Sequence, residues 1–358
     1  MARFTTRLRR LRPQALRQAE AFLVTHLPNL SYLTGFSGTA GALAVTASEA
    51  ALFVPPLYAE QARREAPSAS VRAGGSDPLA AAASWLARQR PLRVAYEKPH
   101  ITLSQFEALR QMLGPRVELV GLTNTVERWR ALKEEAEVAS IRAGVQVTAR
   151  VFEQVLPLVR PGVREIDLAA EIEYRMKQQG ARGPAFETIV ASGPRAALPH
   201  GRASQKRLAK NELVVFDLGA ILCGYHSDMT RTVYLGRPSA RVKRTYRAVR
   251  DALERARETV AAGVPASKVD KAARSVLTRR GLGRYFVHGT GHGLGLEIHE
   301  EPRVGRRADS PLAAGNVITL EPGVYVPGWG GVRIEDVVVV RRRGAETLTP
   351  LSTELLCL

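Results

Sequence analysis

The pattern of apolar and polar positions changes near residue 125. Before that point, strand-length apolar runs alternate with amphipathic helical segments, for example a strand at Leu92–Tyr96 followed by a helix at Leu103–Met112. Such alternation is typical of an α/β domain, which we predict over residues 1–125. After a linker and helix start at residues 126–133, helices and hairpins come in separate blocks. That grouping predicts an α+β domain over residues 134–358.

Local signals give bounds for the individual elements. In the first domain we predict a helix at Arg7–Ala21, a strand at Ala21–Thr25 and a turn at Pro28–Asn29. A charged helix is predicted to start near Glu127 and to continue toward Phe152. In the second domain, helices are predicted at about residues 134–156, 164–179, 240–261 and 266–280, and strands at 187–191, 213–220, 226–235, 317–320 and 332–340.

Two aspartates lie in apolar strands that are predicted to form one hairpin. If the turn is centred between Leu222 and Cys223, then Asp217 and Asp228 face each other. Residues directly opposite in a hairpin have Cβ atoms about 4.5 to 5.5 Å apart, and like charges there are destabilising. Unpaired buried charge is costly as well. The pair therefore indicates a compensating cation.

Two glutamates repeat this arrangement further along the chain. Glu321 ends the apolar strand Val317–Leu320, and Glu335 precedes a run of four valines. A single acid in such a strand is more simply interpreted as an edge residue that faces solvent. Four acids in two apolar hairpins favour a shared cation site instead.

A glycine-rich segment, His288–His299, adds three histidines. Its glycines allow close backbone approach in conformations barred to other residues. As a phosphate-binding loop it lacks both the Lys-Ser/Thr ending and the dinucleotide spacing. Each histidine alone is as compatible with a hydrogen-bonded core residue as with a ligand. Together with the acids, they favour a metal or catalytic loop.

One imidazole and four carboxylates form an oxygen-rich donor set that can hold two divalent ions. Manganese, cobalt or zinc ions suit such a set better than soft, thiolate-seeking metals do. Two ions about 3.5 to 4 Å apart can activate a water molecule and polarise a carbonyl group. The donor set therefore indicates hydrolysis of an amide or an ester.

Composition narrows the remaining function classes. The 358 residues include 52 Lys and Arg against 34 Asp and Glu, a formal charge of +18 that raises the possibility of nucleic-acid binding. The basic residues are dispersed over both domains, so we expect no specific nucleic-acid partner.

There is no apolar run of 18 residues, so no membrane span is expected. Two distant cysteines exclude a disulfide framework and favour the cytoplasm. The arginine-rich start resembles a transit peptide but lacks a cleavage site.

The motifs together resemble the pita-bread metallopeptidases, in particular the Xaa-Pro branch that contains aminopeptidase P and prolidase. The N-terminal region similarly resembles the creatinase-like domain of that branch, through Leu23–Asn29 and Tyr32–Gly38. The matching strings of the second domain are Leu198-Pro-His-Gly201, Phe216-Asp-Leu-Gly219, Ser227-Asp-Met-Thr-Arg-Thr232, His288-Gly-Thr-Gly-His-Gly-Leu-Gly295, His299-Glu-Glu-Pro302, Leu320-Glu-Pro-Gly-Val-Tyr325 and Val332-Arg-Ile-Glu-Asp336.

The resemblance implies a role for each matched ligand position. Asp217 is expected to chelate one metal ion. His292 and Glu321 are expected to hold the other ion. Asp228 and Glu335 are expected to bridge the two. All five residue types are present in this chain.

The resemblance also implies the residues that handle substrate. His200 and His299 are expected to position the scissile carbonyl and to help shuttle protons. His288 is expected to shape the pocket, and Glu321 is the candidate base. Arg333 and Tyr325 fall at positions that orient the ligands.

On this resemblance, the chain is expected to be a metallo-exopeptidase of the Xaa-Pro aminopeptidase type, acting on peptides with proline in the second position. The alternatives are a prolidase restricted to Xaa-Pro dipeptides, a methionine aminopeptidase that shares the five ligands, and a non-catalytic binding relative. Relatives are commonly dimers, so a homodimer is expected. One departure concerns Leu52–Gln61, where Pro55–Pro56 stands in place of the family's usual Asp and Arg before Tyr58. It affects the expected substrate length or oligomer and leaves the metal ligands unchanged.

Overall fold

A mixed sheet forms the centre of the N-terminal unit, which ends at Arg130. The structure is a computed structural model that describes residues 2–358. The strands of this unit are β1 Ala21–Val24, β2 Ala42–Thr46, β3 Ala50–Val54, β4 Ser70–Ala73, β5 Arg93–Glu97 and β6 Glu118–Leu122. Its helices are α1 Ala2–Ala15, α2 Leu27–Thr34, α3 Ala59–Glu65, α4 Pro78–Gln89, α5 Leu103–Leu113 and α6 Glu127–Arg130. The strand order is β4-β3-β2-β1-β5-β6, with β1, β5 and β6 parallel.

Helices α4 and α5 bury one face of this sheet. Trp85, Leu86 and Leu109 pack against Leu23 and Phe53. Local sequence explains where these helices start. The Asp77 carboxylate accepts hydrogen bonds from two backbone N–H groups of the first turn of α4, and Thr102 and Gln105 form a capping box on α5.

The second unit, Ala131–Leu358, contains two pairs of helices and two larger sheets. Its helices are α7 Glu135–Val155, α8 Glu165–Gln178, α9 Ala240–Thr259 and α10 Ala266–Arg279. Its strands are β7 Gly183–Pro184, β8 Ile189–Ser192, β9 Glu212–Leu218, β10 Ala220–Leu222, β11 Tyr225–His226, β12 Met229–Leu235, β13 Gly291–Gly293, β14 Glu300–Val304, β15 Val317–Leu320, β16 Gly323–Val326, β17 Gly330–Arg333, β18 Asp336–Val340, β19 Ala345–Thr347 and β20 Leu356–Cys357.

Each helix pair covers its own part of the strands. Helices α7 and α8 pack on the sheet of order β20-β12-β9-β8, where Phe152 and Ile172 meet Phe216. Helices α9 and α10 pack on strands that include β15 and β18, where Val249 lies in one apolar cluster with Ile318. Burial of these apolar faces leaves the charged side chains of the helices in solvent.

The predicted combination of an α/β and an α+β domain is confirmed, but three local predictions were wrong. Helix α1 ends at Ala15 and does not reach Ala21. Pro28 is not a turn residue; it lies in the first turn of α2, where its fixed φ and missing N–H are tolerated. The charged helix is interrupted, because α6 ends at Arg130 and α7 begins only at Glu135. No helix within residues 2–358 is both long and apolar enough to cross a bilayer.

Three strands that the sequence predicts as continuous are interrupted. The predicted strand 213–220 breaks at Gly219, 226–235 breaks between β11 and β12, and 332–340 breaks between β17 and β18. Periodicity alone does not show such breaks, since the flanking residues remain apolar. Each break lies beside a predicted metal ligand.

Candidate metal centre

The four predicted acids lie at or next to strand ends. Asp217 is the sixth residue of β9, and Glu321 is the residue directly after β15. Asp228 lies in the break before β12, and Glu335 lies in the break before β18. Backbone that leaves the regular ladder can direct these side chains toward one another. The structure brings all four together with His292.

The hairpin that carries the aspartates has a different register from the predicted one. Leu222 pairs with Tyr225, so the two-residue turn is Cys223–Gly224, with φ of 52° and 81°. Positive φ at both central residues is the signature of a type I′ turn, which matches the twist of the strands. The register therefore shifts, and Asp217 pairs with Thr230 instead of Asp228. The prediction of directly opposed aspartates was wrong, although their charges still interact.

The carboxylates are buried, and some of their oxygens have no partner. Side-chain exposure is 7% for Asp228, 13% for Asp217 and 20% for Glu321, while Glu335 is 2% exposed as a residue. Among the described residues, Asp217 Oδ1, Asp228 Oδ1 and Glu335 Oε1 are buried without a hydrogen-bond donor. Buried acceptors are seldom left unsatisfied, so these oxygens are suited to bind a cation.

Electrostatics support the same conclusion. Burial, and then repulsion from the neighbouring acids, raises the pKa of Asp228 and of Glu335 well above the usual range. Burial raises the pKa of Glu321 to about 7. Without a cation, Asp228, Glu335 and Glu321 therefore retain protons at a pH where an exposed acid has lost them.

His292 supplies the nitrogen of the site. Its Nδ1 lies 3.0 Å from the Gly293 carbonyl oxygen, which can only accept, so Nδ1 carries the proton and Nε2 has a free lone pair. Nε2 lies 3.6 Å from Asp228 Oδ2 and 3.7 Å from Glu321 Oε1. Burial lowers the pKa of His292 to about 4, which keeps the ring neutral at pH 7.

This donor set fits divalent ions. One ligand atom each from Asp228, His292 and Glu335 lie within 4.8 Å of one another. A neutral imidazole nitrogen and unpartnered carboxylate oxygens are the donors that manganese, cobalt and zinc accept. Asp217 and Glu321 lie close enough for their charges to act on Asp228.

Arg333 connects the ligands to the segment that carries His200. Its guanidinium donates to Asp217 Oδ2 at 2.5 Å, to the Thr230 hydroxyl at 3.0 Å and to the Pro199 carbonyl oxygen at 3.0 Å. It is 3% exposed. One buried cation thus fixes Asp217 and the backbone next to His200 at the same time.

Tyr325 and His288 continue this network in a defined direction. Arg333 Nη1 donates to the Tyr325 hydroxyl at 2.6 Å, and that hydroxyl lies 2.9 Å from His288 Nε2. His288 Nδ1 must donate to the Gly289 carbonyl oxygen at 2.7 Å, so Tyr325 donates to Nε2. Burial lowers the pKa of His288 to about 4 and raises that of Tyr325 to about 12. His288 is therefore neutral and not an acid at pH 7.

His200 and His299 are the exposed histidines of the group. The His299 ring meets the His292 ring edge-on, with centroids 4.4 Å apart. Burial lowers the pKa of His299, and the charges of Arg303 and His200 lower it further. Both side chains are therefore positioned to meet a ligand that enters from solvent.

Comparison with known proteins places this geometry in a family. The model of metallopeptidase family M24 matches residues 139–342, and the creatinase/prolidase N-terminal domain matches residues 7–132. The chain belongs to metallopeptidase family M24. The predicted pita-bread fold with a creatinase-like domain is confirmed, as is the prediction of a metallo-exopeptidase. The family depends on divalent metal ions.

Named relatives match this chain over nearly its whole length. A Xaa-Pro dipeptidase of Pyrococcus horikoshii is 36% identical over 94% of each chain. The solved structure of a Xaa-Pro dipeptidase from Bacillus anthracis is 35% identical, with a TM-score of 0.94 over 99% of both chains. That of an X-Pro aminopeptidase from Thermotoga maritima is 34% identical, with a TM-score of 0.91 over 98% of this chain and 100% of the other.

Sequence reasoning missed several residues that support the M24 metal centre. The Thr230 hydroxyl donates to Glu335 Oε2 at 2.8 Å, and Thr232 bonds to the backbone of Arg333. Arg231 binds Asp336 and four carbonyl oxygens. The run Thr230-Arg231-Thr232 in an otherwise apolar strand could have indicated these residues, because buried polar side chains need hydrogen-bond partners.

The metal-free M24 enzyme should lose stability as pH rises above the ordinary histidine pKa of about 6.5. Glu321, Asp228 and Glu335 have raised pKa values, so the folded state binds protons that the unfolded chain has released, and stability falls with pH. The lowered pKa values of His292 and His288 make stability rise with pH instead. That rise is largely complete at pH 6.5, near the pKa of a histidine in the unfolded chain, which is about 6.5. Urea unfolding with a chelator measures this slope. With Mn²⁺ present, rising pH should stabilise instead, and a rising metal-free curve would contradict the prediction.

Proposed function

We propose that this chain is a Xaa-Pro dipeptidase that removes the residue before proline from dipeptides. The observation that carries the proposal is the buried cluster of Asp228, His292 and Glu335 with its unpartnered oxygens. The relatives named Xaa-Pro dipeptidase support the dipeptidase over the aminopeptidase that the sequence first indicated. The X-Pro aminopeptidase neighbour makes the longer-peptide activity the second candidate.

Asp217, Asp228, His292, Glu321 and Glu335 would hold two divalent ions. We propose manganese, with cobalt or zinc as alternatives. When bound, the ions supply Lewis-acid polarisation and a nucleophilic water at neutral pH. We further propose that the enzyme is a homodimer, as the family resemblance implies, and that it is cytoplasmic, as its two distant cysteines favour.

The chain's own residues have distinct parts in the proposed reaction. Glu321 is proposed as the general base, since its Oε1 lies 3.7 Å from His292 Nε2 within the cluster that would hold the ions. His200 and His299 reach solvent and are proposed to bind the scissile carbonyl. His288 is neutral with its Nε2 occupied by Tyr325, so it orients and does not donate.

Proline makes the proposed substrate distinctive. A prolyl bond is a tertiary amide with a fixed φ and no N–H, so sites that require that N–H reject it. A pocket formed around neutral His288 and Tyr325 does not require one. The proposed selectivity is therefore for the shape of the second residue.

A peptide series tests the proposal. Mn²⁺-loaded enzyme is given Ala-Pro, Ala-Pro-Ala, Ala-Ala and Met-Ala. We expect kcat/KM for Ala-Pro to exceed that for Ala-Pro-Ala by at least about tenfold, a difference of about 1.4 kcal/mol in transition-state binding. Preference for Ala-Pro-Ala would support the aminopeptidase instead. Cleavage of Met-Ala alone would exclude both.

A further inference from the structure

A buried ion pair on α10 contacts the segment that carries His288. Arg274 donates through Nε to Asp270 Oδ2 at 3.0 Å and through Nη2 to Asp270 Oδ1 at 2.9 Å. The side-chain exposure is 1% for Asp270 and 15% for Arg274. The residues are one helical turn apart, on the face of α10 that packs against the interior.

Both residues also form hydrogen bonds with Phe286, His288 and Thr290, at the start of the glycine-rich segment. Arg274 Nη1 donates to the Phe286 carbonyl oxygen at 2.9 Å, and Nη2 donates to the His288 carbonyl oxygen at 2.8 Å. Asp270 Oδ1 accepts from the Thr290 backbone N–H at 3.1 Å and from its hydroxyl at 2.9 Å. Residues on both sides of His288, and its own carbonyl, are therefore tied to one helix.

Ring contacts also restrict the position of His288. The Arg274 guanidinium carbon lies 4.1 Å from the centroid of the Phe286 ring, and Phe286 meets the His288 ring edge-on with centroids 5.2 Å apart. On its other side, the imidazole accepts from Tyr325. The backbone and one edge of the histidine are thus fixed before substrate arrives.

The same pair extends toward the metal centre through one further bond. The Thr290 carbonyl oxygen accepts from the Glu321 backbone N–H at 2.7 Å. Asp270 fixes Thr290, and Thr290 in turn fixes the start of the Glu321 turn. This path is indirect, whereas the contacts of Arg274 with His288 are direct, so His288 is the residue whose position depends most on the pair.

We propose that Arg274 and Asp270 are positioning residues for His288 in the dipeptidase reaction, an inference that rests on the proposed function. An arginine is required because four hydrogen bonds leave its fixed planar fork, two to a carboxylate and two to carbonyl oxygens. A lysine has a single ammonium and cannot hold both carbonyl groups and the carboxylate in that geometry.

A double-mutant cycle tests the proposal. Arg274→Lys should lower kcat/KM for Ala-Pro by about 10- to 100-fold, as loss of supporting partners does, with the Kd for Mn²⁺ changed less than about threefold. In a His288→Ala background the same Arg274→Lys change should lower kcat/KM by less than about twofold, because the residue it acts through is gone. Equal losses in both backgrounds would overturn the assignment.

Controls separate positioning from general stability. Arg280→Lys changes an exposed arginine at the end of α10, whose Nη2 lies 2.9 Å from Asp251, and should leave kcat/KM unchanged. Should Arg274→Lys fail to fold, Thr290→Val removes one hydrogen bond to Asp270 at nearly constant volume. It should then give a smaller loss that also disappears in the His288→Ala background; persistence of the loss would count against the proposal.

A second readout does not depend on peptide hydrolysis. In ¹⁵N-histidine spectra of the metal-free protein, His288 should show a protonated Nδ1 and a hydrogen-bonded Nε2. Arg274→Lys should shift the His288 signals, and Arg280→Lys should not. Unchanged His288 signals in Arg274→Lys would refute the positioning role. Wild-type failure to cleave any prolyl peptide would refute only the proposed function.

Discussion

Glu335→Gln should abolish peptide hydrolysis and yet raise the melting temperature of the metal-free enzyme. Glu335 is 2% exposed, and burial and the neighbouring acids raise its pKa. Glutamine keeps the size and the hydrogen bond from Thr230, and it is neutral without the proton that the buried Glu335 must take up on folding. The Glu335 carboxylate is proposed to hold metal, and an uncharged amide is a poorer ligand. We expect kcat/KM to fall by about a thousandfold or more, equivalent to about 4 kcal/mol.

Metal content, hydrolysis and thermal unfolding check this prediction together. Purified Glu335→Gln should bind at least one ion fewer per chain than the wild type. The matched control is Glu346→Gln, which alters a partly exposed glutamate that pairs with Arg142 and Arg341. Surface pairs of this kind contribute about 1 kcal/mol or less, so activity should stay unchanged. A Glu335→Gln enzyme that keeps full metal content and activity would show that Glu335 is not a ligand.

These opposite effects on activity and metal-free stability have one cause. The site concentrates negative charge where burial opposes it, so the fold is less stable without the cation than an uncharged site would be. Asp228 and Glu321 contribute to the same repulsion. Metal binding then supplies part of the folding free energy of the second unit. Functional sites commonly retain such local destabilisation.

The sequence indicated which acids and which histidine the structure brings together, because chemistry and context coincide there. An acid between apolar strand residues, as at Glu335, has few explanations other than a cation once several such acids occur. Helix positions such as α5 and α10 were also predictable, since their apolar faces repeat with helical period. The layered α/β and α+β classes follow from the order of these elements.

Geometry that depends on single dihedral angles could not be predicted. The hairpin register follows from positive φ at Cys223 and Gly224, and only the glycine signals such a conformation. The long helix expected from Glu127 is broken although its residues favour helix. His26 and His100, 74 positions apart, stack with ring centroids 3.7 Å apart, a contact that no local pattern encodes. Tertiary packing decides these features.

Replacement of Arg231 should have the largest effect on the free energy of unfolding. It is 3% exposed and donates to Asp336 Oδ1 at 2.8 Å and to carbonyl oxygens of Thr230, Glu335, Leu351 and Ser352. Burial raises the pKa of Asp336, and the charge of Arg231 opposes that rise. Arg231→Met leaves an uncompensated buried carboxylate. We expect a loss of about 3 to 5 kcal/mol in the free energy of unfolding.

Urea unfolding of the metal-free protein measures this loss without any contribution from metal binding. Arg280→Met is the control, since the exposed Arg280–Asp251 pair should contribute less than about 1 kcal/mol. The double variant Arg231→Met with Asp336→Asn should recover only part of the loss. The buried charge is then removed, but four carbonyl oxygens still lack their donor. Complete recovery would mean that the carbonyl contacts contribute nothing, and no recovery would mean that the ion pair does not.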